Sequence, residues 1–369
     1  MTNEQSGPAG LPETVTYEPL PSIYRAFAAG ATPYAIITET IDNSIDFVRG
    51  QALNEDYYPQ TLDVDIRFEP IENETKDDGE GEENIENDQD TTESDSVTGR
   101  LIITDNAGGV PPEDLAKFFQ LGHSDAPPEG IGRFGVGAKR LIGIGNHIRY
   151  ESHAHGYDVA AGFEVDAQKL EGEAATNSRT AYTSEVYEVD DLGENKTRII
   201  VEDLKKGVWK RLCGVVNGEI DRSAENSLWR LEETYEHFLR DDIKIDPTEE
   251  QTKDSITLDL NWGVSGFDTA DSADDEVTIL NIDEHVSAPE PVDLSYIPFD
   301  GLWPRKYEGM PFANDPDTPL DDCLRVDIEV GLLPSSDVDK AGLTVTMNNR
   351  NVLFRDTQND LFSSNYLGN

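Results

Sequence analysis

The sequence predicts an α+β fold, because an amphipathic helix and strands with half-buried patterns occur close together in the chain. The helix begins at Thr32 and carries a stripe of apolar residues at helical spacing. These residues are Tyr34, Ile37, Ile41, Ile45 and Val48. Residues 61–68 alternate apolar and polar side chains, which is typical of a half-buried strand. Residues 100–110 begin as a second apolar strand and end in a turn that contains glycine.

The opposite face of this helix carries polar side chains in a row. Thr32 is suited to cap the helix and Pro33 to occupy its first turn. Glu39, Asn43 and Asp46 are spaced four and three residues apart, so they share one face. A carboxylate, a carboxamide and a second carboxylate in this arrangement are able to hold a hydrated Mg²⁺ and activate a water beside it. The alternative is an ordinary polar helix surface.

The strand over residues 100–110 ends at Asp105 in the segment D-N-A-G-G. A carboxylate at a strand end is able to accept a hydrogen bond from an exocyclic amine, such as N6 of adenine. Gly108 and Gly109 allow the backbone to approach a flat ring closely. The alternative is a plain strand followed by a turn, for which these residues are ordinary signals. We expect a short helix over residues 112–121, and the aromatic and leucine positions of residues 225–239 predict another helix there.

A glycine-rich segment, G-I-G-R-F-G-V-G-A-K, runs over residues 130–139. We predict that a mobile loop leads here into a helix that begins near Val136. Backbone N–H groups at a helix start bind phosphate, and Arg133 and Lys139 add positive charge. A flexible linker is the alternative, because a glycine-rich loop alone is weak evidence.

Composition gives the chain a strongly acidic character. Its 369 residues include 75 acidic and 29 basic ones, for a formal net charge of −46. Such self-repulsion strains a compact state in ordinary salt and is largely screened in molar salt. We therefore expect a protein from a salt-loving cytoplasm. Residues 71–96 hold twelve acidic residues and one lysine, which predicts a disordered insertion.

The sequence shows no targeting signal and no cysteine motif of the kind found in secreted, membrane or zinc-binding proteins. No stretch is apolar enough for a signal peptide or a membrane span, so we expect a soluble cytoplasmic protein without membrane contact. Cys213 and Cys323 lie far apart, which argues against a zinc site or a disulfide framework.

Three ordered motifs, E-T-I-D-N-S-I-D, D-N-A-G-G and G-I-G-R-F-G-V-G-A-K, resemble those of the GHKL ATPases. This superfamily includes gyrase, the ninety-kilodalton heat-shock chaperone, histidine kinases and MutL. The third motif is most similar to the chaperone and MORC versions. The resemblance implies a Bergerat-type fold: a layer of helices on a mixed, mostly antiparallel sheet, with nucleotide held between the helices and a lid.

The resemblance also implies roles for individual residues. Glu39 corresponds to the general base and Asn43 to the Mg²⁺ ligand, with Asp46 supporting the site from behind. Asp105 corresponds to the adenine reader, and Thr197 to a threonine beside the adenine. The other implied nucleotide contacts are Gly109, Gly132, Phe134, Gly135, Val136, Gly137, Ala138 and Lys139.

By the same resemblance, the chain divides into a flexible arm (1–18), an ATP-binding domain (19–245) and a smaller α/β region like a transducer domain (246–369). Such a region usually supplies a lysine to the γ-phosphate, for which Lys340 and Lys306 are candidates. Three positions depart from the family pattern. Ala107 replaces the usual first glycine of the adenine turn, Lys196 precedes Thr197 where glycine is common, and Asp125 replaces a frequent lysine.

The implied function is Mg²⁺-dependent binding and slow hydrolysis of ATP. Nucleotide then closes the lid and pairs two subunits into a clamp on DNA or a protein client. The alternative is an interaction module that binds nucleotide with little or no turnover. A histidine kinase is less favoured, since no phospho-acceptor helix precedes the domain in this sequence.

Overall fold

The computed structural model describes most of the central part of the chain. The described residues are 14–17, 32–54, 57–71, 99–118, 138–170, 182–245, 255–268, 279–290, 305–312, 324–330, 343–347 and 350–356. Several features named from the sequence therefore lie outside them: the acidic insertion after residue 71, the glycine-rich segment up to Gly137, Asp125, Cys323 and Lys340.

Strands dominate the described residues. They are β1 (Thr14–Tyr17), β2 (Thr61–Pro70), β3 (Gly99–Asp105), β4 (Gly145–His153), β5 (Ala160–Asp166), β6 (Tyr182–Val189), β7 (Lys196–Leu204), β8 (Val215–Val216), β9 (Glu219–Ile220), β10 (Ile243–Lys244), β11 (Ser255–Asp268), β12 (Ile279–His285), β13 (Arg305–Phe312), β14 (Leu324–Val330), β15 (Leu343–Met347) and β16 (Arg350–Asp356). The principal helices are α1 (Pro33–Leu53), α2 (Val208–Leu212), α3 (Leu231–Thr234) and α4 (Glu236–Asp241). Short 3₁₀ helices span Pro112–Phe118, Ala138–Gly143 and Leu228–Arg230.

Ten of the described strands form one sheet. Nine follow the order β1-β6-β5-β4-β7-β3-β2-β11-β10, and β12 pairs with β11. The β2–β11 pair is parallel and the other pairs are antiparallel. The predicted α+β class with a mixed, mostly antiparallel sheet is thereby confirmed.

A second sheet follows in the chain. It has the order β13-β14-β15-β16, and β8 pairs with β9 in a separate two-stranded sheet. The first sheet continues past residue 245, because β11 and β12 belong to it. The division into domains at that residue stays a prediction.

Helix α1 begins as the sequence predicts. Thr32 is extended (φ −72°, ψ 152°), and its Oγ1 accepts a hydrogen bond from the Ala35 amide at 3.1 Å. The predicted apolar stripe is buried: four of its members, Ile37, Ile41, Ile45 and Val48, have no exposed surface, and Tyr34 packs against the same core. Burying such a side chain stabilises the fold by about 1.5–3 kcal/mol.

The sheet has one apolar and one polar face. On β2, Leu62, Val64, Ile66 and Phe68 are buried in the core that includes the α1 stripe, while the residues between them are more exposed. The polar face carries arginines that are matched by carboxylates. Examples are Arg100 with Glu69, Arg149 with Glu202, and Arg198 with both Glu151 and Asp191.

Two predicted helices differ from the structure. A single helix is expected over residues 225–239, but α3 and α4 are separated at Tyr235, whose backbone (φ −105°, ψ 16°) is not helical. The Tyr235 side chain is fully buried and hydrogen-bonds to α1, so tertiary contact overrides local propensity. The helix expected over residues 112–121 is a 3₁₀ helix, Pro112–Phe118.

Among the described residues, no helix combines the length and apolar character needed to cross a membrane.

Candidate functional site

The candidate site lies where α1 meets the end of β3. Asp105 is the last residue of β3 and is 8% exposed. The Ser44 hydroxyl on α1 donates a hydrogen bond to Asp105 Oδ2 at 2.9 Å, and the Ala107 amide donates to Oδ1 at 3.0 Å. Both carboxylate oxygens are therefore fixed in orientation, which suits a group that recognises a ligand.

Burial governs the ionisation of Asp105. It raises the pKa of this carboxyl from 3.8 to about 6, and the hydrogen bonds from Ala107 and Ser44 oppose the rise. The carboxyl is therefore ionised at neutral pH and able to accept a further hydrogen bond from an amine.

Thr197 is the neighbour of Asp105 in the sheet. The two residues are register partners in the antiparallel β3–β7 pair, and Thr197 is buried. The two residues are 92 positions apart in the sequence, and the sheet brings them side by side. The GHKL resemblance implies that these two residues lie near each other.

The turn after Asp105 packs closely on the following strand. Gly109 has φ +72°, and a Cβ there would lie 2.3 Å from the carbonyl oxygen of His153. Only glycine suits such a position. Ala107, which departs from the family pattern, is buried in the main apolar core, so its methyl group is accommodated.

Glu39 lies on α1, and its side chain is 26% exposed. The guanidinium of Arg140 forms an ion pair with Glu39 Oε1. Glu39 Oε2 is also buried, but it accepts no hydrogen bond from a described residue. Burial raises the pKa of Glu39, while the charges of Arg140 and Arg350 oppose the rise.

The other two polar residues of this face differ in exposure. Asn43, one turn beyond Glu39, is half-buried, so its side chain is partly accessible. Asp46 is buried, and its Oδ1 lies 3.8 Å from Nη1 of Arg49. Glu39 and Asn43 therefore form the accessible part of the row, and Asp46 lies behind it.

A buried polar cluster joins β16 to α1. Arg350 forms an ion pair with Asp42 and donates a hydrogen bond to Thr38 Oγ1 at 2.7 Å. The Tyr235 hydroxyl lies 2.9 Å from Asp42 Oδ1 and 2.8 Å from the carbonyl oxygen of Thr38. Burial raises the pKa of Asp42 to about 7, and the Arg350 charge opposes the rise.

The remaining predicted nucleotide contacts are described only in part. Ala138 and Lys139 begin the 3₁₀ helix Ala138–Gly143, so a helix does follow the glycine-rich segment. The preceding contacts lie outside the described residues: Gly132, Phe134, Gly135, Val136 and Gly137. Lys306 lies in β13, within the second sheet.

A cavity of about 310 Å³ lies elsewhere in the sheet. It is bordered by β2, β11 and β12, and its lining includes Arg67, Phe68, Val264 and Asn281. None of the predicted site residues lines it. Arg67 is already paired with Asp65 and Asp283, so its guanidinium is not free to bind an anion in this cavity.

Sequence reasoning missed three residues of the site. Ser44 lies between two predicted site residues but has no strong signal of its own. Arg140 directly follows the glycine-rich segment, so its charge and position were available as a signal. Arg350 lies in the segment N-N-R-N, and only the tertiary structure brings it to α1.

No protein-family model and no curated protein matches this sequence. The assignment of function therefore depends on the motifs and on the geometry described above.

Proposed function

We propose that this protein binds ATP with Mg²⁺ and hydrolyses it slowly, with a Bergerat-type arrangement of helices on its sheet. One observation carries the proposal: the Ser44–Asp105 hydrogen bond fixes the adenine-reading candidate to the same helix that presents Glu39 and Asn43. Thr197 beside Asp105 and the tight Gly109 turn add support. Glu39 and Asp105 come from separate motifs in the sequence, and Thr197 lies in a third segment.

Each described residue has a defined task in this proposal. Asp105 accepts a hydrogen bond from the adenine amine, and the Asn43 amide oxygen binds Mg²⁺. The metal, when bound, neutralises charge on the phosphates. Glu39 accepts a proton from the attacking water through Oε2, the oxygen that Arg140 does not occupy.

Arg350 is our candidate for the link between the second sheet and the nucleotide site. Lys340 and Lys306 are the candidates from sequence, whereas Arg350 of this sheet reaches α1 through its ion pair with Asp42. Its ion pair with Asp42 lies one helical turn from Glu39, and its charge acts on the Glu39 carboxylate. A displacement of β16 would therefore change the charge near Glu39 through this one side chain.

Hydrolysis assays test this assignment. We expect Mg²⁺-dependent release of phosphate in molar KCl, with Glu39→Gln reducing turnover about 10²- to 10⁴-fold because the general base is lost. Affinity for a non-hydrolysable ATP analogue should change little in this variant. Turnover of Glu39→Gln at the parental rate would show that Glu39 is not the base.

The client and the oligomer belong to the same proposal. We propose that nucleotide pairs two subunits into a clamp on DNA or a protein client. Light scattering with and without the ATP analogue, in molar KCl, should show a monomer becoming a dimer. An unchanged mass would favour the second candidate, a nucleotide-binding interaction module with little or no turnover.

A further inference from the structure

Arg140 occupies a firmly anchored position beside the candidate base. It lies in the 3₁₀ helix Ala138–Gly143, and the next residue, Leu141, is fully buried. The Lys205 ammonium group donates a hydrogen bond to the carbonyl oxygen of Ile142 at 2.8 Å. The backbone that carries Arg140 is therefore held by core packing and by Lys205, the residue that directly follows β7.

The two oxygens of Glu39 have different surroundings. Oε1 receives the Arg140 guanidinium, while Oε2 is buried without a hydrogen bond from any described residue. A free glutamate rotates easily about its last torsion, because rotation there is broad and roughly two-fold. An ion pair at one oxygen restricts this rotation and makes the two oxygens inequivalent.

We propose that Arg140 is a positioning residue for the general base, holding Glu39 Oε1 so that Oε2 is the oxygen left to accept a proton from the attacking water. This inference rests on the proposed function, because it concerns the same carboxylate. Arg140 touches the base and acts through it. A misoriented base loses much of its effect, since an error of about 1 Å costs about 10²-fold in rate.

Three variants test the role of Arg140. Arg140→Gln should lower kcat about 10- to 100-fold and leave KM for ATP within about threefold, because the base is disturbed while the proposed nucleotide contacts are unchanged. Arg140→Lys should recover part of kcat through its remaining charge. Arg149→Gln is the matched control, because the Arg149 side chain is 27% exposed, against 25% for Arg140. Arg149 lies away from the site and forms an ion pair with Glu202, with an N–O distance of 2.8 Å. The kcat of Arg149→Gln should equal that of the parent.

A double-mutant cycle separates positioning from a structural role. If Arg140 acts through Glu39, Arg140→Gln should change the residual rate of Glu39→Gln by less than about twofold. An equal loss in both backgrounds would overturn the proposal, and so would a parental kcat for Arg140→Gln. Circular dichroism melting of each variant in molar KCl establishes that the compared proteins are folded.

The outcomes also distinguish this inference from the proposed function. A slow Glu39→Gln variant beside a fully active Arg140→Gln variant overturns only the role of Arg140. A parent without Mg²⁺-dependent hydrolysis, or a fully active Glu39→Gln variant, overturns the proposed function and this inference with it.

Discussion

Ser44 Oγ lies 2.9 Å from Asp105 Oδ2, and this hydrogen bond joins the middle of α1 to the last residue of β3. The bond has two consequences. It fixes the distance between the helix that carries Glu39 and the strand that carries Asp105, and it supplies one of the two donors that stabilise the buried Asp105 carboxylate.

Replacement of Ser44 should weaken adenine recognition. Ser44→Ala removes one donor and leaves the Ala107 amide as the remaining one, so we expect affinity for the ATP analogue to fall about 5- to 10-fold, equivalent to about 1 kcal/mol. Calorimetric titration in molar KCl measures this effect. Ser223→Ala is the control, because Ser223 makes a comparable bond to Asp221 at an exposed position. Equal affinities for Ser44→Ala and the parent would contradict the prediction.

Asp105 should make stability depend on pH. Its folded pKa of about 6 exceeds the ordinary value of 3.8, so its stabilising contribution is complete below about pH 4 and is lost as pH rises through 6. The shift corresponds to about 3 kcal/mol. Asp105→Asn should therefore gain stability relative to the parent as pH rises from 4 to 7, while losing affinity for adenine.

Urea unfolding of the parent and Asp105→Asn at several pH values measures this difference. Only the difference between the two proteins matters, because many other carboxylates titrate in both. A difference that stays constant from pH 4 to 7 would mean that Asp105 titrates near its ordinary pKa.

Removal of Arg350 should destabilise the fold strongly. Arg350→Gln leaves the buried Asp42 carboxylate without its cation, which costs about 3–5 kcal/mol for a buried pair. The pKa of Asp42, already about 7, should rise further, because burial is then less opposed. Asp42 is neutral at low pH, so the loss of stability should be smaller at pH 5 than at pH 8.

Unfolding free energies at pH 5 and pH 8 test this prediction. Arg222→Gln is the control, since Arg222 is 71% exposed and pairs with Glu284 on the surface. Such exposed pairs contribute about 0–1 kcal/mol. Similar losses for Arg350→Gln and Arg222→Gln would show that the Asp42 ion pair adds little to stability.

Gly109→Ala should be more damaging than the same change at Gly156. Both glycines have a positive φ, +72° and +74°, so both variants incur the strain of that conformation. A Cβ at Gly109 would also lie 2.3 Å from the His153 carbonyl oxygen, whereas nothing lies within 4 Å at Gly156. We expect about 1 kcal/mol of destabilisation at Gly156 and about 3 kcal/mol or more at Gly109, measured by urea unfolding. Equal losses would indicate that the turn relaxes freely.

Local patterns in the sequence were sufficient to predict several elements. Thr32 and the apolar stripe of α1, the alternation in β2, and the end of β3 at Asp105 all depend on neighbouring residues. The split at Tyr235 was not predictable in this way, because the deciding contacts come from α1.

The candidate site, too, was only partly predictable from the sequence. Glu39, Asn43 and Asp105 lie in recognisable motifs, but the Ser44–Asp105 bond and the approach of Arg350 to Asp42 span 61 and 308 positions of the chain. Such pairings depend on how the sheets assemble. A single sequence contains no direct signal for them.

The parallel pairing of β2 with β11 has a consequence for biosynthesis. Thr61 pairs with Thr257 and Phe68 with Val264. The edge of β2 that pairs with β11 therefore stays unpaired until nearly two hundred further residues have been synthesised. Pairing over such a separation is slow compared with local contacts. Nascent chains therefore expose an apolar strand edge for much of translation, which makes them targets for chaperones and prone to aggregation until β11 arrives.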